Sequence, residues 1–391
     1  MKTNTCVSIL PHTAGALLLG TLAIGCSVRA DRGSATDSKV GTISQALFET
    51  GAAFAWVQAN GTIIPNYSYT DSESAFSNAW NPNPGWYFVT VPNAFVSGDP
   101  GNVQVVAYGS DNDRCNVVNW SPSGSDMSVE VHCFTPSGTS TNSAFVMHYI
   151  RSPGFDAYLM ADQPSASSYY PASGYSYNIA ATNTLKGNSI TRQGPGAYSV
   201  YLPYTGSSGG TVLITAVGTT TNYCKAFNWY PSGTYDEYVN VRCFNSAGAP
   251  ADTVFSLYYS WGVTWDGNRG AWTWANDPTS AYYTPASSWT YDSGTSCATG
   301  DPNSSQSCGG SRGTTPAYRY GTGTYFLHHS LMDPVNSAVH ITSYGADSNY
   351  CKIRDWVSDG DGVGVWSLCF NASGAPADAQ YVEVYATGDS P

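Results

Sequence analysis

Residues 224–252, CKAFNWYPSGTYDEYVNVRCFNSAGAPAD, carry the pattern that decides the fold. In this stretch Val239, Val241 and Cys243 alternate with polar residues, as in a β-strand with one buried face. The turn-forming run Pro-Ser-Gly at 231–233 separates Cys224 from Cys243. The stretch therefore predicts a hairpin whose two sulfurs face each other across adjacent strands.

The same landmarks occur three times along the chain. In every copy a Trp follows the first Cys by five residues, and an aromatic residue follows the second Cys by twelve. A fixed spacing repeated in this way indicates three copies of one structural unit. The landmarks are Cys115, Trp120, Cys133 and Phe145; Cys224, Trp229, Cys243 and Phe255; and Cys351, Trp356, Cys369 and Tyr381.

Short alternating runs separated by Gly, Pro, Asn and Ser continue through each copy, and no helical period of 3.6 residues follows residue 25. We therefore predict an all-β protein with three tandem antiparallel β-sandwich modules. The predicted modules span residues 50–152, 153–262 and 263–391. An immunoglobulin-like topology and a jelly roll both fit the pattern.

The N-terminal region has the features of an export signal. Its apolar run, Ala14–Gly25, is too short to span a bilayer as a helix but suits a signal-peptide core. Residues 1–25 are therefore predicted to be a signal peptide, and the small, polar residues 26–49 a flexible tether. The run ends at Gly25-Cys26 and resembles the lipobox of bacterial lipoproteins, which implies lipidation of Cys26. The alternative is cleavage after Val28-Arg29-Ala30, which would release a free secreted protein.

The cysteines outside the leader fit an oxidising compartment. Eight remain after Cys6 and Cys26, and none has the C-x2-C spacing of a zinc site. Cys297 and Cys308 belong to an insertion found only in the third copy. We predict no metal site and four disulfides: Cys115–Cys133, Cys224–Cys243, Cys297–Cys308 and Cys351–Cys369.

The full landmark string reads C-x3-N-W … C-F-x3-G-x-P-A-D, with its last part at 248–252 and 374–378. It resembles a repeat of uncharacterised secreted proteins and lipoproteins of bacteria. The first copy departs from it, with Gly138-Thr-Ser-Thr-Asn142 at this place. The resemblance implies an outer-membrane lipoprotein or extracellular location and a module type, but no activity.

Composition and motifs exclude several classes of function. The formal charge of −12 argues against binding to nucleic acid. The chain lacks the zinc motif H-E-x-x-H, the P-loop and the dinucleotide-binding fingerprint. The pattern G-x-S-x-G occurs at 206–210 and 309–313, but only in Gly- and Ser-rich runs, without the strand and helix that flank the nucleophile elbow of serine hydrolases. We predict a protein without catalytic residues or cofactor, with an unrecognised hydrolase as the alternative. Any membrane contact is expected only through the lipid anchor.

Three polar residues of the third copy stand where the other copies have apolar ones. They are His329, Ser367 and Glu383. The opposite phase of two of these strands is apolar, at Phe326 and Trp366, so a one-residue register slip would place the polar residues outside. We expect such a slip, with a polar binding cluster or a catalytic group as alternatives.

Aromatic residues make up 14% of the chain and charged residues only 11%, which favours a contact surface over a charged site. The candidate ligand-binding residues are Trp274, Trp289 and Tyr291 in the third copy. Trp274 aligns with Gln58 and Met160, which makes it specific to this copy. The predicted function is non-catalytic binding or adhesion to a polysaccharide or another surface protein. Alternatively, the rings only pack against the insertion and the protein is a structural spacer.

Overall fold

Strands form almost all regular structure in this computed structural model. It describes residues 52–388 apart from 73, 96–97, 152–155, 179–186, 208, 234, 261–269, 293–314, 331, 333 and 361. Within these ranges the only helix is one turn of 3-10 helix, Ser173–Tyr175. No helix in the described ranges has the length and apolar character needed to cross a lipid bilayer.

The strands follow the three repeat copies, here called segments one, two and three. Segment one contains β1 Ala53–Val57, β2 Ile63–Thr70, β3 Trp80–Asn83, β4 Trp86–Val91, β5 Asn102–Tyr108, β6 Arg114–Ser123, β7 Asp126–Phe134 and β8 Ala144–Ile150. Segment two contains β9 Asp156–Ala161, β10 Ser168–Tyr169, β11 Ser176–Asn178, β12 Ser189–Gly194, β13 Ala197–Leu202, β14 Thr211–Val217, β15 Tyr223–Ser232, β16 Asp236–Phe244 and β17 Val254–Ser260. Segment three contains β18 Gly270–Ala275, β19 Tyr282–Tyr283, β20 Thr290–Asp292, β21 Ala317–Gly321, β22 Thr324–Ser330, β23 Ser337–Tyr344, β24 Tyr350–Asp359, β25 Gly362–Phe370 and β26 Gln380–Thr387.

Each of the three sheets combines strands of two segments. The strand orders are β19-β21-β22-β25-β24-β5-β8-β1-β2, β10-β12-β13-β16-β15-β23-β26-β18-β20 and β11-β9-β17-β14-β6-β7-β4-β3. Pairing is antiparallel within the segments, whereas one parallel contact joins each segment to the next: β6 to β14, β15 to β23 and β24 to β5. Because the third contact returns to segment one, the segments close a ring.

Each segment buries its own apolar core between parts of two different sheets. The cluster of segment one includes Val89, Val131 and Met147, and that of segment two includes Val200, Val241 and Leu257. The core of segment three also takes in three residues of segment one, Phe54, Val106 and Val146. The all-β fold of three sandwich modules is thus confirmed, and the sharing of sheets between modules is a feature that the repeat pattern did not predict.

The hairpin disulfides are also confirmed. Cys115 and Cys133, Cys224 and Cys243, and Cys351 and Cys369 lie directly opposite each other, with Cα atoms 4.0 Å apart in each pair. The pair Cys297–Cys308, Cys26, the signal peptide 1–25 and the tether 26–49 lie outside the described residues. The segment boundaries, near 152 and 262, fall outside them as well and stay predictions.

A β-bulge explains the C-x3-N-W spacing. In each hairpin the register shifts between the second and the fourth residue after the first Cys. The extra residue is Val118 in segment one, Phe227 in segment two and Arg354 in segment three. Since a bulge re-aims side chains locally, this position is suited to vary between copies.

Other repeat residues close the ring. The N–H of Gly345 donates to the carbonyl of Ala226 in segment two at 3.0 Å, and Gly109 and Gly218 make the same bond at the other junctions. Gly345 has a φ of +109°, a conformation that other residues adopt only with strain. The residue after the first Cys adds a side-chain bond, for example from Lys225 Nζ to Asp347 Oδ1 at 2.7 Å.

The final Asp of the repeat acts within its own segment. Asp252 accepts bonds from the Gly196 N–H at 2.8 Å and from Arg192, and Asp378 does the same in segment three. In segment one, Asn142 Oδ1 accepts the bond from the Gly85 N–H at 2.8 Å. The departure of the first copy from the repeat therefore keeps this contact, because an amide oxygen can replace a carboxylate oxygen as acceptor.

Candidate functional site

The repeated Trp of each segment packs at the junction with the next segment. At the junction between segments three and one, Trp356 contacts Trp56, Tyr67 and Tyr108, with ring centroids 5.8, 5.4 and 5.5 Å apart. The Tyr108 hydroxyl also donates to Asp355 Oδ1 at 2.9 Å. Tyr67, from the outer strand β2, completes a closed aromatic cluster over Trp356.

The junction between segments one and two is built on the same plan. Trp120 is buried, with 1% of its surface exposed, and Tyr175 packs edge-on against it at 5.3 Å. Tyr69 and Tyr177 lie at matching places, opposite Phe54 and Tyr158. Tyr67 precedes Tyr69 by two residues, and Tyr175 precedes Tyr177 by two. Tyr67 and Tyr175 are therefore equivalent, and each covers the repeated Trp of its junction.

The junction between segments two and three differs because Trp289 replaces that tyrosine. Trp289 lies flat against Trp274, with centroids 5.9 Å apart and an interplanar angle of 9°. Trp229 contacts Trp274 at 4.4 Å and Tyr344 at 5.4 Å. This arrangement leaves a groove of about 360 Å³ at the junction. The groove, here called the junction groove, is lined by Phe227, Asn228, Trp229, Trp274, Tyr344, Gly345, Ala346 and Gln380.

The junction groove combines aromatic rings with amides, and none of its lining residues carries a charge at neutral pH. Asn228 Oδ1 accepts a hydrogen bond from Asn240 at 2.7 Å, and Gln380 Nε2 donates to the carbonyl of Asn276 at 2.7 Å. These bonds orient the two amides at the rim. Burial raises the pKa of Tyr344, so its hydroxyl stays neutral.

Two of the three predicted binding residues belong to this site. Trp274 lines the groove and Trp289 supports it, whereas Tyr291 lies opposite Trp272, packs on the apolar cluster around Trp272 and does not line the groove. Trp274 also holds the junction together, because its Nε1 donates to the carbonyl of Gly210 in segment two at 2.7 Å.

The alignment of Trp274 with Gln58 was wrong. Trp274 pairs with Val382, and Trp56 pairs with Val146. Each of these valines directly follows the final aromatic residue of its repeat copy. Trp56 is therefore the equivalent of Trp274. What sets segment three apart is Trp289, which lies on the neighbouring strand.

The expected register slip was also wrong. His329, Ser367 and Glu383 are fully buried in the regular register that segment two uses for Leu202, Val241 and Leu257. They bond to one another: His329 Nε2 lies 2.8 Å from Glu383 Oε1, and the Ser367 hydroxyl donates to Glu383 Oε2 at 3.4 Å, while His329 Nδ1 is buried without a hydrogen-bond partner in the residues that the structure describes. Burial raises the pKa of Glu383, and His329 opposes that shift. A paired polar cluster thus makes a slip unnecessary.

The buried cluster does not have the arrangement of a nucleophilic serine with its base. Ser367 contacts the carboxylate rather than the imidazole, and all three side chains are inaccessible to solvent. A nucleophilic serine needs its base within hydrogen-bond reach and a substrate beside it. No group of three His, Cys, Asp or Glu side chains among the described residues is placed to hold a metal ion.

Sequence reasoning missed Phe227, Asn228, Tyr344 and Gln380. Phe227 and Asn228 lie inside the C-x3-N-W string, where Phe227 is the bulge residue. An aromatic residue at a position that holds Val118 and Arg354 in the other copies was the available signal. Gln380 and Tyr344 had no comparable signal, because they come from strands distant in sequence.

No protein family matches the chain, and no curated protein shows significant sequence similarity to it.

Proposed function

We propose that this chain is an exported, non-catalytic carbohydrate-binding protein whose junction groove accepts one face of an uncharged sugar unit of a polysaccharide. The observation that carries the proposal is the uncharged aromatic lining of the groove. Sugar rings present apolar C–H faces that pack on aromatic rings, and their hydroxyls need neutral hydrogen-bond partners, which Asn228 and Gln380 provide.

The position of the groove between two segments supports this proposal. Trp229 belongs to segment two and Trp274 to segment three, and hydrogen bonds from Gly345 and Trp274 fix the two segments to each other. A site held in this way loses little conformational entropy on binding. The three hairpin disulfides fit an oxidising compartment, which supports export.

A structural spacer is the second candidate. This candidate is supported by the structural role of the shared repeat residues. Gly345 and Lys225 form hydrogen bonds between segments, and Asp252 accepts a hydrogen bond from the turn residue Gly196. A spacer would show no saccharide binding, and the open groove at one junction would then be incidental to its function.

A glycan array followed by calorimetric titration tests the proposal. The variant Asn228→Ala removes a rim amide that is exposed, so its melting temperature should stay close to that of the wild type. We expect affinity for the neutral glycan identified on the array to fall about tenfold, which corresponds to about 1.4 kcal/mol. Phe227→Ala should have at least as large an effect.

The matched control is Tyr230→Ala, because Tyr230 is exposed on the same strand but does not line the groove. It should bind like the wild type. Absence of any neutral glycan ligand, or equal losses in Asn228→Ala and Tyr230→Ala, would contradict the proposal. Trp274→Ala is a poor test because it also removes the bond to Gly210.

A further inference from the structure

We propose that the outer face of segment three is a second, independent binding site, for a polysaccharide that carries carboxylate groups. Sugar faces would pack on a row of aromatic side chains, and a carboxylate would pair with Arg354. The aromatic row consists of Tyr282, Tyr318, Tyr320, Phe326 and Trp366, which lie on strands β19, β21, β22 and β25.

The aromatic row is continuous across these strands. Ring centroids lie 5.0 Å apart between Tyr282 and Tyr318, 6.1 Å between Tyr318 and Phe326, and 4.9 Å between Phe326 and Trp366. Tyr320 adds a contact with Trp366 at 4.8 Å. Each ring therefore supports its neighbours, so the row presents a preorganised apolar strip.

The row faces solvent. Tyr282 is 58% exposed and Tyr320 is 64% exposed. The Phe326 ring lies across Gly364, where any side chain would collide with it. A contiguous apolar patch of this kind on a soluble surface is typical of an interaction site.

Segment two shows that the fold does not need these rings. Its strands β13 and β16 pair in the same register as β22 and β25, and Ser199 and Asn240 stand at the places of Phe326 and Trp366. At these two places the same sheet face forms with small polar residues, and its own tyrosines, Tyr201 and Tyr238, stand at the places of His328 and Gly364. Aromatic rings at the places of Phe326 and Trp366 are therefore not required for this face to form.

Arg354 gives the row its chemical preference. As the bulge residue of β24, it is exposed, and its guanidinium lies 4.9 Å from the centre of the Trp366 ring. No carboxylate in the described part of the chain lies within ion-pair distance of Arg354. Guanidinium groups pair with carboxylates in a bidentate manner, so a uronic acid unit next to a stacked sugar would satisfy this cation.

A second copy of this chain fits the row less well. Symmetric association through one patch would bring two Arg354 side chains together. A polysaccharide approaches as a thin chain and places its carboxylate where the cation is. The row belongs to a different sheet from Trp229 and Trp274, so this site is separate from the junction groove.

The test uses the full chain and two probes, polygalacturonate and its uncharged methyl ester, in calorimetric titrations. We expect polygalacturonate to bind in a salt-sensitive manner. Arg354→Gln should weaken that binding at least tenfold while binding of the methyl ester changes less than twofold. Trp366→Asn, which installs the residue of segment two, should weaken binding of both probes at least tenfold.

Two controls keep the result interpretable. Arg242→Gln removes a cation that stacks on Phe227 at 5.1 Å in segment two, and it should leave polygalacturonate binding unchanged. Asn228→Ala, in the junction groove, should also leave polygalacturonate binding unchanged. A failure of the groove proposal can therefore be distinguished from a failure of this one.

Three outcomes would overturn the inference: no binding of polygalacturonate by the wild type, equal binding by Arg354→Gln, or a wild-type dimer in sedimentation that Trp366→Asn abolishes. The last result would assign the row to a second copy of the chain. Melting temperatures of Arg354→Gln and Trp366→Asn check that both variants are folded.

Discussion

Segments two and three share strand order, hairpin disulfide and register, yet they differ in the interior of the sandwich. Segment two packs apolar side chains where segment three buries a hydrogen-bonded polar cluster. The contrasting positions are Leu202 and His329, Val241 and Ser367, and Leu257 and Glu383. One backbone arrangement thus tolerates two kinds of core, one of them with polar groups that hydrogen-bond to one another.

The outer faces of the two segments differ as well. Ser199 and Asn240 in segment two contrast with Phe326 and Trp366 in segment three. Among the residues common to both, the disulfide cysteines link the two strands of each hairpin, and the junction Trp and Gly345 or its equivalent join neighbouring segments. The comparison teaches that shared repeat residues build this architecture, whereas residues specific to one copy are where binding sites should be sought.

The largest expected effect comes from breaking the polar cluster of segment three. His329→Leu leaves Glu383 fully buried without the imidazole that lies 2.8 Å away. Breaking one partner of a buried pair costs on the order of 3–5 kcal/mol. Urea unfolding of the variant and the wild type measures this cost.

The matched test replaces all three polar residues of the cluster with their equivalents in segment two. The triple change His329→Leu, Ser367→Val and Glu383→Leu should recover most of the lost stability, since apolar replacement of a complete buried pair is often neutral or stabilising. A triple variant as unstable as His329→Leu would show that the cores of the two segments are not interchangeable.

A second prediction concerns Glu237, a fully buried carboxylate of segment two whose equivalents are Met127 and Val363. Burial raises the pKa of Glu237 to about 8, above its unfolded value of about 4.3. The folded state therefore holds this proton more tightly. The contribution of Glu237 to stability is present in full below the unfolded pKa and is lost as pH rises through about 8.

Glu237→Met, which copies segment one, should remove that loss. We expect the stability gain of the variant over the wild type to increase steadily from pH 5 to pH 8.5, by a few kcal/mol. Urea unfolding at several pH values measures the difference, and other titrating groups cancel between the two proteins. A gain independent of pH would show that Glu237 does not titrate in this range.

The smallest effect is expected at the junctions. His340 of segment three and His148 of segment one lie with ring centroids 5.3 Å apart, where segment two has Leu213 in place of His340. Burial lowers the pKa of His148 to about 4, and burial and the neighbouring His148 lower that of His340. Their contribution to stability is present above the unfolded pKa of about 6.5 and is lost as pH falls through the folded values.

His340→Leu should therefore reduce the fall in melting temperature between pH 7.5 and pH 5. The second histidine keeps part of the acid sensitivity, so we expect a shift of a few degrees. Thermal unfolding followed by circular dichroism at both pH values provides the measurement. A fall in melting temperature equal to that of the wild type would place the acid-sensitive groups elsewhere.

The sequence by itself determined the all-β class, the three copies and the hairpin disulfides. These follow from local information: a period of two residues puts Val239, Val241 and Cys243 on one face, and a turn between two cysteines brings them opposite each other. Part of the junction groove could also be predicted from the sequence, because Trp274 and Trp289 stand out as aromatic residues in the third copy.

Only the tertiary structure decided how the copies assemble. The parallel contacts that close the ring join residues about one hundred positions or more apart, such as Val117 and Val217. The burial of His329, Ser367 and Glu383 was missed because each residue alone argues for a solvent-facing position, while their mutual hydrogen bonds exist only after three strands meet. The junction groove has the same physical origin: its floor comes from Trp229 and Trp274 on strands of two segments, and a local pattern carries no information about which strands become neighbours.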